Sequence, residues 1–481
     1  MNSEFVREQK RYTKKDICRI MNCTEEKAIP LIRKLKEVGV LRTVRATEIQ
    51  RDLSDLFDED IEVADVEEGA DEYLYVFTFV GVIIVSGCVL KCYPKYLLKT
   101  DAPGKELQQL LKVLEKYNSK EQIVKIFNDS SESSAFNLLA VFLFLLQDYY
   151  ENGVYSNTED IIESNGTGEI LWDKTINETF TLLVGNRPYY IELQTKRRVT
   201  DDYDYFKRLH ECILTCASKE LQEAGLLDLF EITAAELTDE VLDDFGETDY
   251  ILYRIEKELN TQFNTRKQMV LKTLYAYIAH NSNLYDSDCL SLFGTNRFNL
   301  VWEEICADIM DNQLDNPLGT IRFPVPLKPG YDRRQKLIEL IEKPLWTATG
   351  KTAKDTLIPD LITITKVGQE WQFIIFDAKY YNARLESGIV PKGQPGIESV
   401  TKQYLYQLAY QKFIKEHGFD SVKNCFLMPT ESADVQNKGE VSLEMLRKLG
   451  LQNIKVRFLP ADMAYEYYLS GRKMDIRILE L

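Results

Sequence analysis

The sequence predicts a multidomain α+β protein, and three observations carry the prediction. The chain has 481 residues, 44% of them hydrophobic, which is length enough for about two to four domains with buried cores. Its local charge changes sign near residue 50. Strand-like runs of branched and aromatic residues alternate with amphipathic helical runs, and two such runs near the C-terminus form an apolar α/β-type hairpin. The expected partition is a winged helix-turn-helix-like head over 1–50, an acidic linker over 51–72, a mixed β/α region over 73–280 and an α/β core over 281–481.

Residues 1–50 hold 12 Lys/Arg against 7 Asp/Glu, whereas 51–72 hold 11 Asp/Glu and one Arg. The acidic stretch reads as a solvated linker. In the head, Thr13 caps a helix reaching Met21, with Ile17 and Ile20 inward, and Asn22-Cys23 makes a turn. Thr24 caps a second helix with Glu25 and Glu26 in its positive first turn. Ala28, Leu31, Ile32 and Leu35 form the apolar stripe, Gly39 ends the helix, and residues 40–44 begin a wing strand. Pro30 goes against this pattern, because a proline inside a helix kinks or shortens it. In such a motif the second helix enters the major groove, which makes Lys27, Arg33 and Lys34 candidate DNA contacts. A protein-docking module without DNA contact is the alternative.

Residues 73–80, 82–85 and 89–92 read as strands, and 80–86 is too short an apolar run to cross a membrane. Residues 104–152 read as helical, with 135–150 a core helix. Strands return over 169–195 around a turn at Gly185-Asn186-Arg187-Pro188, and 200–226 and 250–280 read as long amphipathic helices. Nine cysteines are scattered, and His210, His280 and His417 are the only histidines, so zinc sites and histidine triads are poor candidates. The first residues lack an apolar signal core. The expectation is a cytoplasmic protein with reduced thiols and no membrane span.

Pro359-Asp360, followed by Asp377-Ala378-Lys379, is the sharpest signal. Residues 361–366 and 371–376 read as strands around a four-residue loop, 367–370. Pairing Lys366 with Trp371 places Asp360 directly opposite Asp377, and Cβ atoms of paired residues stand about 5 Å apart. Lys379, two residues on, shares that face. The second strand is apolar on both faces and therefore central and buried. Two close carboxylates repel, and burial adds a desolvation cost. Mg²⁺ removes both problems: it takes oxygen ligands, keeps several waters, and can activate one of them while polarising a phosphoryl oxygen. Lys379 would orient or deprotonate the attacking water, or stabilise the developing charge. This is the pattern of a PD-(D/E)xK restriction-endonuclease-like core, with one or two Mg²⁺ ions. A structural Asp–Lys pair at a strand end is the alternative.

Residues 298–309 form an amphipathic helix burying Phe298, Val301, Trp302, Ile305 and Ile309. Glu303 or Glu304 beside the tryptophan would complete the metal shell, with Glu303 preferred. After the lysine, residues 398–410 form a helix with Val400, Leu405 and Leu408 as core candidates. Lys402, Gln403 and Gln407 are its candidate contacts to DNA phosphate or the attacking water, the two glutamines sharing a face. Thr349-Gly350-Lys351-Thr352 imitates the end of a phosphate-binding loop, but Leu345 stands where that loop needs its first glycine.

These words resemble the LlaJI restriction endonuclease family, which is related to the McrC subunit of McrBC systems. The resemblance rests on Phe293-Gly294-Thr295 with Phe298 to Glu303, Leu357-Ile358-Pro359-Asp360-Leu361, Phe376 to Asn382, and Thr401 to Gln407. It is strongest over 285–412 and extends upstream through Phe79-Val80-Gly81-Val82, Tyr93-Pro94-Lys95-Tyr96, Trp172 to Ile176 and Phe206 to His210. It implies a Mg²⁺-dependent double-stranded DNA endonuclease of phage defence. Asp360 and Asp377 would be metal ligands, Lys379 would act in catalysis and Glu303 would assist. It also implies a McrB-like GTPase AAA+ partner docking on 73–280 and a cognate methyltransferase in the same system. Arg187, on its exposed turn, is the candidate for stimulating that GTPase. Two other readings stay open: a DNA-binding regulator or scaffold with a silent nuclease fold, and a stand-alone repair nuclease.

Overall fold

The computed structural model describes residues 2–45, 73–118, 137–156, 158–200, 204–280, 283–284 and 289–481. The expected acidic linker, 51–72, and the last five residues of the expected head lie outside the described residues. The fold is mixed α+β and divides into two compact units, one built from 2–128 together with 292–481 and the other from 129–291. The expected linear partition is therefore crossed. Residues 73–118 fold with the C-terminal half, because their strands take pairing partners from residues 2–45 and from 290–295.

In the larger unit, β1 (Asn2–Arg7) is followed by β2 (Arg11–Tyr12), α1 (Lys14–Ile20), α2 (Glu25–Glu37), β3 (Leu41–Arg45) and β4 (Tyr73–Phe77). Strands β2, β4 and β3 form one small sheet in that order, so the head takes its central strand from beyond residue 50. Thr13 and Asp16 make a reciprocal capping box: Asp16 N donates to Thr13 Oγ1 at 3.2 Å and Thr13 N to Asp16 Oδ2 at 3.0 Å. Helix α2 runs unbroken through Pro30. The proline deprives only the Glu26 carbonyl of its donor, and both residues are exposed to water.

Strands β5 (Val80–Val85) and β6 (Cys88–Tyr93) form a hairpin whose Ser86-Gly87 turn has φ of 46° and 73°, the type I′ geometry that matches strand twist. The N-terminal strand β1 pairs in parallel with β6, which no local pattern announced. Helix α3 (Gly104–Asn118) follows.

The smaller unit contains α4 (Leu138–Asn152), β7 (Thr158–Ser164), β8 (Glu169–Ile170), α5 (Trp172–Glu178), β9 (Thr181–Val184), β10 (Arg187–Tyr190), β11 (Gln194–Thr200), α6 (Tyr205–Glu223), α7 (Thr248–Thr261) and α8 (Thr265–His280). The single helix expected over 250–280 is broken at Gln262–Asn264. There Asn264 Oδ1 accepts from Lys267 N at 3.1 Å and starts a new helix. Asp148 on α4 takes a two-pronged ion pair from Arg266 on α8, at 2.7–3.1 Å, which clamps the interior.

The larger unit resumes with β12 (Leu290–Thr295), the edge partner of β5. Gly81 and Gly294 make this pairing possible. A Cβ on Gly81 would stand 2.1 Å from Phe293 O, and one on Gly294 would stand 2.1 Å from Val80 O. Next come α9 (Phe298–Ile309), the small hairpin β13 (Leu345–Trp346) and β14 (Lys351–Thr352), β15 (Leu361–Val367), β16 (Glu370–Ala378), α10 (Ile397–Glu416), β17 (Ser421–Thr430), β18 (Gln436–Val441), β19 (Ile454–Pro460) and α11 (Ala461–Ser470). Gly350 lies in the β13–β14 hairpin and no helix follows it, so this segment has no phosphate-loop architecture.

The core sheet has the order β15-β16-β17-β19-β18, with β16, β17 and β19 mutually parallel. Helix α10 covers one face, with Tyr406, Tyr410 and Phe413 over Ile362, Phe373 and Ile375, and Val400 and Tyr404 over Phe426 and Val456. Helix α9 covers the other face: Met310, just past its end, accepts a hydrogen bond from Thr363 Oγ1 at 2.6 Å, and Trp302 Nε1 donates to Leu427 O at 3.2 Å. Cover on both faces explains why the middle of β16, residues 373–376, is apolar on both sides.

Candidate active site

The chemistry-bearing residues gather at the C-terminal end of β16. Lys366 pairs with Trp371 and Leu361 with Phe376, so Asp360, one residue before β15, faces Asp377. The connecting loop is shorter than the expected four residues. Val367 pairs with Glu370, leaving Gly368-Gln369, with Gly368 at φ 64°; positive φ at the first turn position alone is the type II′ arrangement.

Asp360 Oδ2 accepts from Ala378 N at 2.8 Å, which ties the two aspartate-bearing segments together. Asp377 is only 2% exposed, and its Oδ1 stands 2.9 Å from Lys379 Nζ. That contact is ionic, with no hydrogen-bond donor aligned on Oδ1. Burial first, and the Asp377 charge second, push the Asp360 carboxyl well above the ordinary carboxylate range. Burial works against the Lys379 ammonium, but Asp377 and Asp360 outweigh it and the net shift is upward.

Glu303 on α9 is raised by burial first, while Lys379 pulls it down and Asp377 pushes it up. It therefore senses the same pair of groups. Glu304 is exposed, and its charge acts on Tyr468 instead. Among the described residues no three His, Cys, Asp or Glu side chains stand ready to hold a metal ion unaided. The donor set is a carboxylate pair with Glu303 alongside. Such a set fits Mg²⁺, which typically takes one or two carboxylates and fills its remaining positions with water. The buried Asp377 Oδ1, without an aligned donor, is an acceptor available to a cation.

Helix α10 corrects the sequence reading. Leu405 and Leu408 are exposed, while Gln403 and Gln407 are buried. Gln403 Nε2 donates to Ile375 O at 2.8 Å and its Oε1 has no partner. Gln407 Oε1 accepts from Asn424 Nδ2 at 2.6 Å and from Gln452 N at 2.9 Å. Neither glutamine is placed to touch DNA. The helix rests on the sheet through its tyrosines, so the amides between them point inward and satisfy backbone groups. Lys402 stays on the outer side, 2.6 Å from Glu398. Tyr406 was missed by the sequence reading. Its phenol is pushed up by burial first and then by Asp377, Asp360 and Glu303, and it packs in the cluster with Ile362, Phe373 and Ile375. The three- and four-residue spacing of Tyr406, Tyr410 and Phe413 was the signal for that face.

Elsewhere, Lys27 and Arg33 are exposed on α2 and Lys34 is half-buried. Arg187 is exposed at the start of β10, after a Gly185-Asn186 turn with φ of 57° and 64°.

The model of the LlaJI restriction endonuclease family matches residues 79–324 and 331–462. Component YdjA of the type II restriction enzyme BsuMI from Bacillus subtilis (strain 168) is 26% identical over 409 residues, covering 82% of this chain and 81% of the relative. Among solved structures, a chain in the half-complex of Thermococcus gammatolerans McrB AAA+ hexamers with bound McrC aligns over 98% of this chain and 99% of its own, at 13% identity and a TM-score of 0.38. A chain of the T. gammatolerans McrBC complex aligns over 63% and 86%, at 16% identity and a TM-score of 0.25.

Proposed function

The chain belongs to the LlaJI restriction endonuclease family, and from that premise we propose that it is the Mg²⁺-dependent double-stranded DNA endonuclease subunit of a restriction system, loaded on DNA by a GTP-hydrolysing AAA+ motor. The observation that carries the reading is Asp360 facing Asp377 at the end of a buried strand, with Lys379 2.9 Å from Asp377. It supports reading the domain as a PD-(D/E)xK core.

In this reading Asp360 and Asp377 hold the cation and Glu303 supports its water shell. A bound Mg²⁺ supplies an activated water and a polarised phosphoryl oxygen. A cation held there would favour loss of the proton that burial keeps on Asp360. Lys379, 2.9 Å from Asp377, would orient or deprotonate the attacking water, or stabilise charge on the phosphoryl oxygens.

The motor is inferred from what the chain lacks and what it presents. It has no complete phosphate-binding loop, and its net charge of −17 opposes unaided loading on DNA. The β9–β10 hairpin presents exposed Leu183, Val184 and Tyr189 beside Arg187, a surface suited to docking. Arg187 is the residue proposed to act on the partner's GTPase. The head, a winged helix-turn-helix in this reading, meets DNA through Lys27, Arg33 and Lys34. A cognate methyltransferase protects host DNA, and the system works in the cytoplasm. No helix among the described residues is long and apolar enough to cross a membrane.

The deciding measurement is cleavage of one plasmid by the chain alone, with its motor partner, and with partner plus GTP, each with Mg²⁺. Only the last tube should cut efficiently, and Asp377→Ala should reduce it by at least about a hundredfold, the scale of several kcal/mol of lost transition-state stabilisation. Efficient cutting by the chain alone refutes motor control; normal cutting by Asp377→Ala refutes the site.

A further inference from the structure

Tyr380 follows Lys379 directly, yet its side chain is tied to residues almost a whole chain length away. Its hydroxyl donates to the carboxylate of Glu8, which is buried at the end of β1. The same Glu8 Oε2 accepts from Lys95 N at 3.2 Å, and Lys95 N also lies 3.3 Å from the Tyr380 hydroxyl. Lys95 is itself buried, and its Nζ stands 4.5 Å from the centre of the Tyr380 ring. On its other sides that ring meets Phe298, 5.0 Å away, and Tyr96, 6.2 Å away edge-on.

Each contact leads to a different part of the site. Phe298 is the first residue of α9, the helix that carries Glu303. Lys379 N, one residue before Tyr380, donates to Leu427 O at 2.8 Å on β17. Beyond Glu8, Gln9 N donates to Phe77 O at 2.9 Å, on the central strand of the head sheet. A buried carboxylate is costly unless its acceptors find donors, and here Tyr380 and Lys95 N both donate to Oε2. Nothing in the cleavage chemistry uses this network.

We infer that Tyr380 is a positioning residue: anchored by Glu8, it holds Lys379 and the Glu303 helix in register, and makes the geometry of the nuclease centre depend on the N-terminal strand. The inference rests on the nuclease reading for its consequence, not for its geometry. It also means that deleting residues 1–50 removes a support of the site along with the head, so loss of cleavage in such a truncation is not evidence of DNA contact by the head.

The test uses the full chain with its motor partner, GTP and Mg²⁺. Tyr380→Phe keeps the ring and its neighbours and removes only the hydroxyl. Glu8→Ala removes the acceptor and Glu8→Gln keeps one. Tyr380→Phe and Glu8→Ala should each lower kcat about tenfold, the scale of a hydrogen bond to a charged group, with KM for DNA unchanged. Glu8→Gln should recover most of the loss, and the Glu8→Ala/Tyr380→Phe double variant should be no worse than the poorer single one. Amide hydrogen exchange at Ala378 and Lys379 should accelerate about tenfold in Tyr380→Phe relative to the amides of β17 and β19. Full kcat in Tyr380→Phe, additive losses, or unchanged exchange at those two amides overturns the inference. If the unaltered protein shows no metal-dependent cleavage, the nuclease reading fails, and the exchange measurement still decides whether Glu8 and Tyr380 hold the strand end.

Discussion

Hairpins β15–β16 and β9–β10 are both antiparallel and both turn through two residues with a glycine at positive φ, but their side chains meet opposite surroundings. In the first, Phe373, Ile374, Ile375 and Phe376 are fully buried, because β16 has a strand on each edge and a helix on each face. In the second, Leu183 is 70% exposed and Val184 and Tyr189 more than half exposed, and the pair forms a two-stranded sheet by itself. Apolar content alone therefore does not say whether a hairpin is core or docking surface; the neighbours on its edges and faces do. A buried hairpin can hold two carboxylates and a lysine at a fixed separation, which metal chemistry requires. A bare one is free to be covered by another molecule.

Three measurements sharpen this contrast, from the largest expected effect to the smallest. Phe373→Ala empties part of the core beneath α10 and should cost about 3–5 kcal/mol of stability, read by urea unfolding of the full chain; a loss under about 1 kcal/mol would mean the two hairpins are not differently packed. Asp360→Asn keeps the acceptor for Ala378 N and removes one of two facing charges. Because Asp360 has a raised folded pKa, the stability it contributes is fully present below the ordinary aspartate range and is lost as pH rises through the shifted value. In EDTA the Tm of the unaltered protein relative to Asp360→Asn should therefore fall as pH rises from acid towards neutral. Added Mg²⁺ should raise Tm of the unaltered protein at neutral pH and leave Asp360→Asn unmoved. A metal response that survives the substitution would remove Asp360 from the site. Leu183→Ser on the bare hairpin should change stability by less than about 0.5 kcal/mol while weakening motor-dependent cleavage. Undiminished cleavage would leave this surface without its proposed role.

Much of the candidate site was readable from one-dimensional spacing. The facing of Asp360 and Asp377 needs only a period of two and one tight turn, and the capping of α1 by Thr13 needs only a residue three positions on. The spacing put Glu303 and Glu304 beside Trp302 but gave no rule for choosing between them; in the fold Glu304 is exposed and Glu303 is half-buried. The reading failed at α10. It ranked Leu405 and Leu408 inward because leucine is apolar, but that helix lies on its tyrosines, and inward Gln403 and Gln407 bond Ile375 O, Asn424 and Gln452 N.

What the sequence by itself determined is what neighbours in the chain enforce: strand alternation, turn glycines, caps, the facing aspartates, and the missing glycine at Leu345. What only the tertiary structure decided involves partners brought together across the chain. Strand β1 pairs with β6 across more than eighty residues, β4 enters the head sheet from beyond the acidic stretch, and Glu8 reaches Tyr380 across 372 positions. The physical reason is that backbone pairing and burial reward any strand edge or cavity of the right shape, whatever its distance along the chain. Loop-closure entropy grows only slowly with that distance, so it sets no short limit on where a partner is found.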